Sequence, residues 1–312
     1  MAKKSKRGSG PRPGSNRAER VAARKARQLS AVALPPRPFA GFAAECDLVA
    51  LRAFVASATA ELDLTADPTN RVTLATILPG AVPAIVRAID AASDADGRTV
   101  EGLVAMQTTS ELDIADAATN LANSIGWAGE AEVGDEYELS DADGVLTDVL
   151  KADEPLKIVV HDDFSWWFAG ESTVPPEIAQ MLARANETIM PTARLTPSSG
   201  IGAPWWVDAG DRAHLRWVRP ENEDELMSAL ARLHAAGQLT LGEGSRFAGS
   251  FRTHGLLVPV FDLDNEKHHE EWYDGVNQFD ERLVEALANT AELTGEERRS
   301  RDGIRGRQIT LR

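Results

Sequence analysis

The stretch from Ala213 to Leu263 constrains the fold more than any other part of the chain. Its first residues, 213–218, alternate in the manner of a strand. Asn222 then begins a helix whose apolar side chains recur every three or four positions, and Gly237 ends it. Two further extended runs follow, at 238–241 and 256–263. Strands and a helix in such close succession predict an α+β fold.

A weaker copy of this pattern occurs about 110 residues earlier in the chain. In that copy a strand at 100–107 is followed by a helix that ends at Gly126. The correspondence continues with extended runs that match the strands of the later copy: 127–133 with 238–246, and 158–162 with 258–262. We therefore hypothesise an internal duplication of two related helix-strand-helix-strand units.

The remaining segments define four regions of the chain. They are a basic tail with a proline linker, a first α+β unit, a second unit, and a C-terminal helix with an Arg-rich tail, at 1–38, 39–170, 171–264 and 265–312. Periodicity and caps predict helices at 46–62, from Ser110 to Gly126, from Pro176 onward and at 278–293, and strands at 72–78 and 156–160. The helix from Pro176 carries an apolar inner face, formed by Ile178, Met181, Leu182, Ala185 and Ile189.

The net charge of −15 is divided unevenly along the chain. Residues 1–28 hold ten basic residues and one acid, Glu19, for a net +9. The remaining 23 basic and 47 acidic residues give −24. The tail lacks large apolar residues except Val21, so we predict that it is disordered. Its basic residues are Lys3, Lys4, Lys6, Arg7, Arg12, Arg17, Arg20, Arg24, Lys25 and Arg27.

A tail of this charge predicts attachment to RNA, to the ribosome or to DNA through phosphate contacts. No aromatic residue is interleaved to stack on a base, so the binding would be blind to sequence. The alternative is a solubilising tail that lies on the protein's own acidic body.

Cysteine content and hydropathy favour the cytoplasm. Cys46 is the one cysteine, which excludes an internal disulfide and fits a reducing compartment. No apolar run approaches the roughly 18 residues that a membrane span requires. The apolar run after the basic start, 29–34, is shorter than a signal-peptide core.

Two groups of residues form a candidate pocket. His161 and Asp162 follow an aliphatic strand, a place where α/β proteins often put sites, and His with carboxylates suits acid–base work or a divalent metal. Arg246, Arg252 and His254 would form an anion site if they converged. The alternative for Asp162 is the preference of Asp for turns at strand ends. The alternative for the run from Gly242 to Arg246 is a plain hairpin or bulge turn.

No motif for a nucleophile, a metal or a cofactor occurs in the chain. We therefore expect a non-enzymatic binding protein without a cofactor. The alternative is a hydrolase or transferase with a site near His161, Asp162, Arg252 and His254.

Two tryptophan pairs, Trp166-Trp167 and Trp205-Trp206, fall between the core segments. Successive strand residues point to opposite faces, so we expect one tryptophan of each pair in the core and the other outside. Exposed aromatic side chains of this kind would mark a binding surface.

Several runs resemble an uncharacterised family of actinobacterial proteins. The likeness covers about residues 39–264 and is carried by 74–80, 161–164, 185–192, 216–220, 230–238, 242–246 and 251–263. The resemblance implies a bacterial, cytoplasmic setting. Automatic labels of family members mention a protein translocase ATPase or a topoisomerase, but this chain has neither a Walker lysine motif nor the cysteines of that ATPase's zinc motif.

Overall fold

A computed structural model describes residues 36–109, 116–138, 143–168 and 175–310. The basic tail, the predicted helix start at Ser110 and the predicted domain boundary near residue 170 lie outside these ranges. The residues from Arg37 onward form one compact unit built on two β-sheets. The predicted α+β class is confirmed.

The first sheet has five strands in the order β3-β4-β2-β1-β5. Strands β2 and β4 are parallel, and the other neighbours are antiparallel. The strands are β1 (Ala58–Glu61), β2 (Arg71–Ile77), β3 (Ala84–Ala88), β4 (Val100–Gln107) and β5 (Lys157–Val160). The helices of this half are α1 (Glu45–Ala53), α2 (Ala117–Glu130) and α3 (Leu146–Val149), with short 3-10 helices at Pro79–Ala81, Ala91–Ser93 and Ser165–Phe168.

The second sheet has six strands in the order β11-β9-β10-β8-β7-β6, antiparallel except for the pair β11 and β9. The strands are β6 (Thr192–Arg194), β7 (Ala203–Asp208), β8 (Ala213–Val218), β9 (Ser245–Thr253), β10 (Leu256–Leu263) and β11 (Gln308–Thr310). The helices are α4 (Pro176–Asn186), α5 (Glu223–Ala235), α6 (Tyr273–Ala288) and α7 (Gly295–Arg305), with a 3-10 helix at His269–Trp272.

Helix α1 lies between the two sheets and joins them into one core. Leu48 and Leu51 of this helix are buried together with Leu74 of β2, Val104 of β4 and Trp205 of β7. A second core fills the opposite face of the second sheet, where α5, α6 and α7 bury Leu230, Phe279 and Ile304 among other apolar residues. Both faces of the second sheet are therefore covered, but the first sheet is packed by helices on one face.

The hairpin of β9 and β10 turns at His254 and Gly255. Both residues have positive φ, 48° and 75°, as a two-residue type I′ turn requires. Glycine adopts this conformation without strain, whereas histidine is uncommon there. Side-chain contacts described below fix His254 in place.

Side-chain caps mark the starts of two helices. Asn222 accepts a hydrogen bond from the Asp224 backbone and begins α5, as predicted. Thr294 forms a capping box with Glu297 at the start of α7. That helix packs on α5 and buries Ile304, so the Arg-rich end of the chain is docked as far as it is described.

Two predicted strands are wrong. Residues 127–130 continue α2, which passes through Gly126, and 238–241 lie in a loop. The first predicted helix is also too long, because α1 ends at Ala53 and β1 begins at Ala58. Short apolar runs fit both the helical and the strand period, so packing against the sheets decides which structure forms.

The internal duplication is not confirmed. Its matched strands have different neighbours: β4 and β5 are separated by two strands in the first sheet, but β8 and β10 are adjacent in the second. The apolar inner face predicted for α4 is also wrong, because no residue of this helix is buried and Met181 is 41% exposed.

Candidate functional site

The outer face of the first sheet, opposite α1 and α2, carries alternating polar residues from every strand. The residues that point to this side include Thr59 and Glu61 of β1, Arg71 and Thr73 of β2, Arg87 of β3, Glu101 of β4, and Lys157 and Val159 of β5. Their neighbours along each strand point to the core, because successive residues alternate faces. The sheet itself therefore assembles these side chains into one surface.

Glu101 is the centre of that surface and is only 2% exposed. Its Oε1 accepts hydrogen bonds from Arg71 Nη2 at 2.6 Å and Thr73 Oγ1 at 2.8 Å, and its Oε2 accepts one from Arg87 Nη2 at 2.6 Å. Burial raises the pKa of Glu101, but the charges and hydrogen bonds of Arg87, Thr73 and Arg71 outweigh burial and hold it below its ordinary value. The carboxylate is thus ionised and fully bonded.

The 3-10 helix Ser165–Phe168 roofs one half of this face. Arg87 Nη1 donates to the carbonyls of Trp166 at 2.7 Å and Trp167 at 3.0 Å, so the helix is anchored to the Glu101 cluster. Trp167 Nε1 donates to the Ile77 carbonyl at 2.9 Å. Under the roof lies a small apolar cluster formed by Ala75, Leu78, Ile85, Leu103, Ala105 and Trp166.

The other half of the face is open and forms a trough of about 1080 Å³. Strands β1 to β5 form its floor. Residues 62–68 and 94–98 form walls on one side, and His161 and Trp166 form the wall at the other end. This volume is at the upper limit of ordinary small-molecule sites, which span about 300–1,000 Å³.

His161 lies in the trough, as part of the predicted pocket. Its Nε2 is 2.8 Å from Thr59 Oγ1, and its ring stacks on Trp166 with 5.6 Å between the centroids. Burial lowers the pKa of His161, although the charges of Asp163 and Asp162 oppose the shift. The imidazole is therefore neutral at pH 7 and suited to accept a proton.

The two carboxylates after His161 do not share its site. Asp162 is exposed and is not part of the trough lining. Asp163 caps the following turn by accepting a hydrogen bond from the Ser165 backbone at 2.8 Å, and hydrogen bonds from Ser165 lower its pKa. Asp163 therefore acts at the chain turn, in agreement with the alternative drawn from the sequence.

The other predicted pocket residues lie on the second sheet, and none of them lines the trough. Arg246 pairs with Asp262 at 2.6 Å, and Arg252 pairs with Glu223. Since six residues of an extended strand span about 20 Å, the two arginines sit at opposite ends of β9. The structure does not bring Arg246, Arg252 and His161 into one pocket.

His254 is buried between the hairpin and α1. Its Nε2 accepts a hydrogen bond from Arg52 Nε at 3.1 Å, and its Nδ1 is 2.8 Å from Thr253 Oγ1. Arg52 also donates to the Met106 carbonyl at 2.6 Å. Burial, and then the charge of Arg52, lower the pKa of His254 to about 4. His254 therefore ties the second sheet to the first.

The expected split between core and outside applies to the first tryptophan pair only, and there the pair lies in a 3-10 helix and not in a strand. Trp205 and Trp206 point to opposite sides of β7, but both sides are cores, so both residues are buried. In the first pair Trp167 is buried and Trp166 is half-buried at the trough. Cys46 is buried too, and burial raises the pKa of its thiol to about 12, which makes it a poor nucleophile.

Sequence reasoning missed the central cluster of Glu101, Arg71, Thr73 and Arg87. A signal was present in β2, where Arg71 and Thr73 alternate with apolar residues, but Glu101 and Arg87 are single polar residues within apolar runs. These patterns do not show that three strands bring their polar residues together.

Neither a metal-binding cluster nor a membrane-spanning helix is present in the part of the chain that the structure describes. No group of three or more His, Cys, Asp and Glu side chains there is arranged to hold a metal ion. None of the helices in the described ranges has the length and apolar character to cross a membrane.

The chain belongs to DUF5926, a family of unknown function, whose match covers residues 38–312. No curated protein and no solved structure matches the chain.

Proposed function

We propose that the chain is a binding protein with two separate contacts. Residues 1–28 attach it to RNA, to the ribosome or to DNA, and the trough on the first sheet receives a second partner. The observation that carries the proposal is the open trough of about 1080 Å³, lined by charged side chains around an aromatic wall.

The charge distribution supports the attachment by the tail. Ten basic residues and one acid lie within 28 positions, whereas the rest of the chain has a net charge of −24. A body of that charge repels phosphate, so any nucleic-acid affinity belongs to the tail. Neutralised phosphates release counterions, which makes such binding steeply dependent on salt.

The cytoplasm is the compartment that fits this proposal. Nucleic acid and ribosomes are found there, and the buried thiol of Cys46 has no partner cysteine in the sequence. The resemblance to actinobacterial proteins supports a bacterial setting.

A titration with RNA and DNA tests the attachment. Full-length protein is compared with a variant in which all ten Lys and Arg of residues 1–28 are replaced by Gln, and with a 29–312 truncation, at low and at physiological salt. We expect salt-dependent binding by the full-length protein only. Equal binding by the truncation would refute the attachment.

Crosslinking tests the trough as the second contact. A photoreactive residue is placed at Val159, which is 55% exposed in the trough, and at Val284, which is 41% exposed on α6. We expect a crosslinked partner from Val159 and none from Val284. The same products from both positions would show that the trough has no special role.

A hydrolase or transferase is a second candidate, and one observation favours it. The hydroxyl of Thr59 is 2.8 Å from the imidazole of His161, within the reach of a nucleophile and its base. Labelling by a fluorophosphonate probe tests this candidate. A label lost in Thr59→Val and in His161→Gln would support it, and an unlabelled protein would remove it.

A further inference from the structure

Each arginine inside the trough is already bonded to a carboxylate. Arg71 and Arg87 share the carboxylate of Glu101. Arg98, at the wall, pairs with Asp67 at 2.5 Å and Asp96 at 2.8 Å. An anionic ligand would have to compete with these carboxylates for every guanidinium group, so the trough is poorly suited to phosphate or carboxylate ligands.

Acidic side chains outnumber lysines by three to two among the exposed charges of the trough. The side chains of Glu61, Asp67 and Asp96 are 76%, 86% and 67% exposed. Asp63, at 34%, lies beside Glu61, and both meet the exposed Lys157 at 3.6 to 3.9 Å. Lys151 is the other lysine of the lining. Exposed pairs at such distances are weak, so the cations of a ligand can replace them.

Apolar surface lies next to this acidic rim. Val159 is 55% exposed on the same face, and Trp166 forms the end wall. Lysine and arginine combine an aliphatic stem with a charged head, so their stems can cover Val159 while their heads reach the carboxylates.

We propose that the trough binds a lysine- or arginine-rich peptide segment of a partner protein. The inference rests on the proposed function, since it names the chemistry of the second partner. The charge of −24 outside the tail adds long-range attraction for such a segment. The open side of the trough lets a chain enter and leave, which a small ligand does not need.

Fluorescence anisotropy with full-length protein tests the proposal. The probe is a labelled ten-residue peptide that alternates Lys and Ala, with a Glu and Ala peptide as the negative probe. The trough variant combines Glu61→Gln, Asp63→Asn and Asp67→Asn. The matched control removes the same charge from the α6 side of the body, with Glu281→Gln, Glu285→Gln and Glu292→Gln, all exposed residues.

We expect the trough variant to bind the Lys peptide about tenfold more weakly, as three exposed ion pairs of about 0.5 kcal/mol each would give. The control variant should lose less than about twofold, because its carboxylates act only at long range through salt-screened solvent. Equal losses in both variants would overturn the proposal and reduce the effect to general charge. No binding of the Lys peptide would overturn it too.

Two further arms separate the possible sources of the signal. Spermine carries the same cationic groups without a peptide chain, and binding of spermine as tight as that of the peptide would overturn the assignment to a peptide. RNA binding is measured on the same full-length protein without substitutions. RNA binding without peptide binding removes this inference and leaves the attachment by the tail, and the reverse result removes the attachment alone.

Discussion

Replacing Glu101 by Ala tests the view that this residue holds the outer face of the first sheet together. The substitution leaves Arg71 and Arg87 without their shared carboxylate. Removing one partner of a buried ion pair costs about 3–5 kcal/mol. Arg71 and Arg87 keep 33% and 20% of their side chains exposed, so water solvates them in part. We therefore expect a loss of about 3 kcal/mol, at the lower end of that range.

Urea unfolding of the variants measures the effect. Glu101→Gln keeps the shape of the side chain and loses its charge, and we expect a loss of about 2 kcal/mol because charge-assisted hydrogen bonds are replaced by neutral ones. Glu61→Ala is the control, since Glu61 lies exposed on the same sheet face and should change stability by less than about 0.5 kcal/mol. A loss below about 1 kcal/mol in Glu101→Ala would refute the reasoning.

The pH dependence of the same variants gives an independent check. The folded-state pKa of Glu101 lies below its ordinary value of 4.5, so its contribution is fully present above that pH. The contribution is lost as the pH falls through the lower folded-state pKa. The stability difference between the wild type and Glu101→Gln should therefore shrink in acid. A constant difference down to pH 3 would contradict the assignment of an ionised, stabilising carboxylate.

Two further predictions concern the packing of the body. The folded-state pKa of His254 is about 4 against an ordinary 6.5, so its neutral form stabilises the fold above pH 6.5, and about 3 kcal/mol of stability is lost between those values as the pH falls. The variant His254→Asn keeps a residue that tolerates the positive φ at this position. The difference between its urea midpoints at pH 7 and pH 4.5 should be smaller than that of the wild type. An unchanged difference would contradict this role of His254. In Gly102→Ala the new Cβ would meet the Ala128 carbonyl oxygen at 2.5 Å, so we expect thermal unfolding to show a loss of about 1–3 kcal/mol. Gly126→Ala, within α2 and with no atom within 4 Å of its Cβ, should instead gain about 0.5–1 kcal/mol, and the same sign in both variants would be evidence against this packing.

The candidate site was predictable only in part. His161 was identified because it follows an aliphatic strand, and it does line the trough. Its predicted partners rest on residue type and spacing, but the structure leaves Asp162 exposed and pairs Arg252 with Glu223 and His254 with Arg52. Spacing along a strand fixes the face to which a side chain points, but it does not fix which distant strand lies beside it.

The sequence by itself determined the elements whose signals are local. Strands β8 and β10 and the start of α5 at Asn222 follow from alternation, helical periodicity and capping within about ten residues. These signals act between near neighbours, so they survive in any tertiary context that leaves one face buried.

Tertiary structure decided what depends on distant neighbours. Residues 127–130 became helix because α2 packs on β4, where Gly102 admits Ala128. Trp205 and Trp206 are both buried because each face of the second sheet meets a core. Glu101 meets Arg71 and Arg87 because β4 lies between β2 and β3. Strand order is set by the burial of whole faces and by loop closure, which no local pattern encodes.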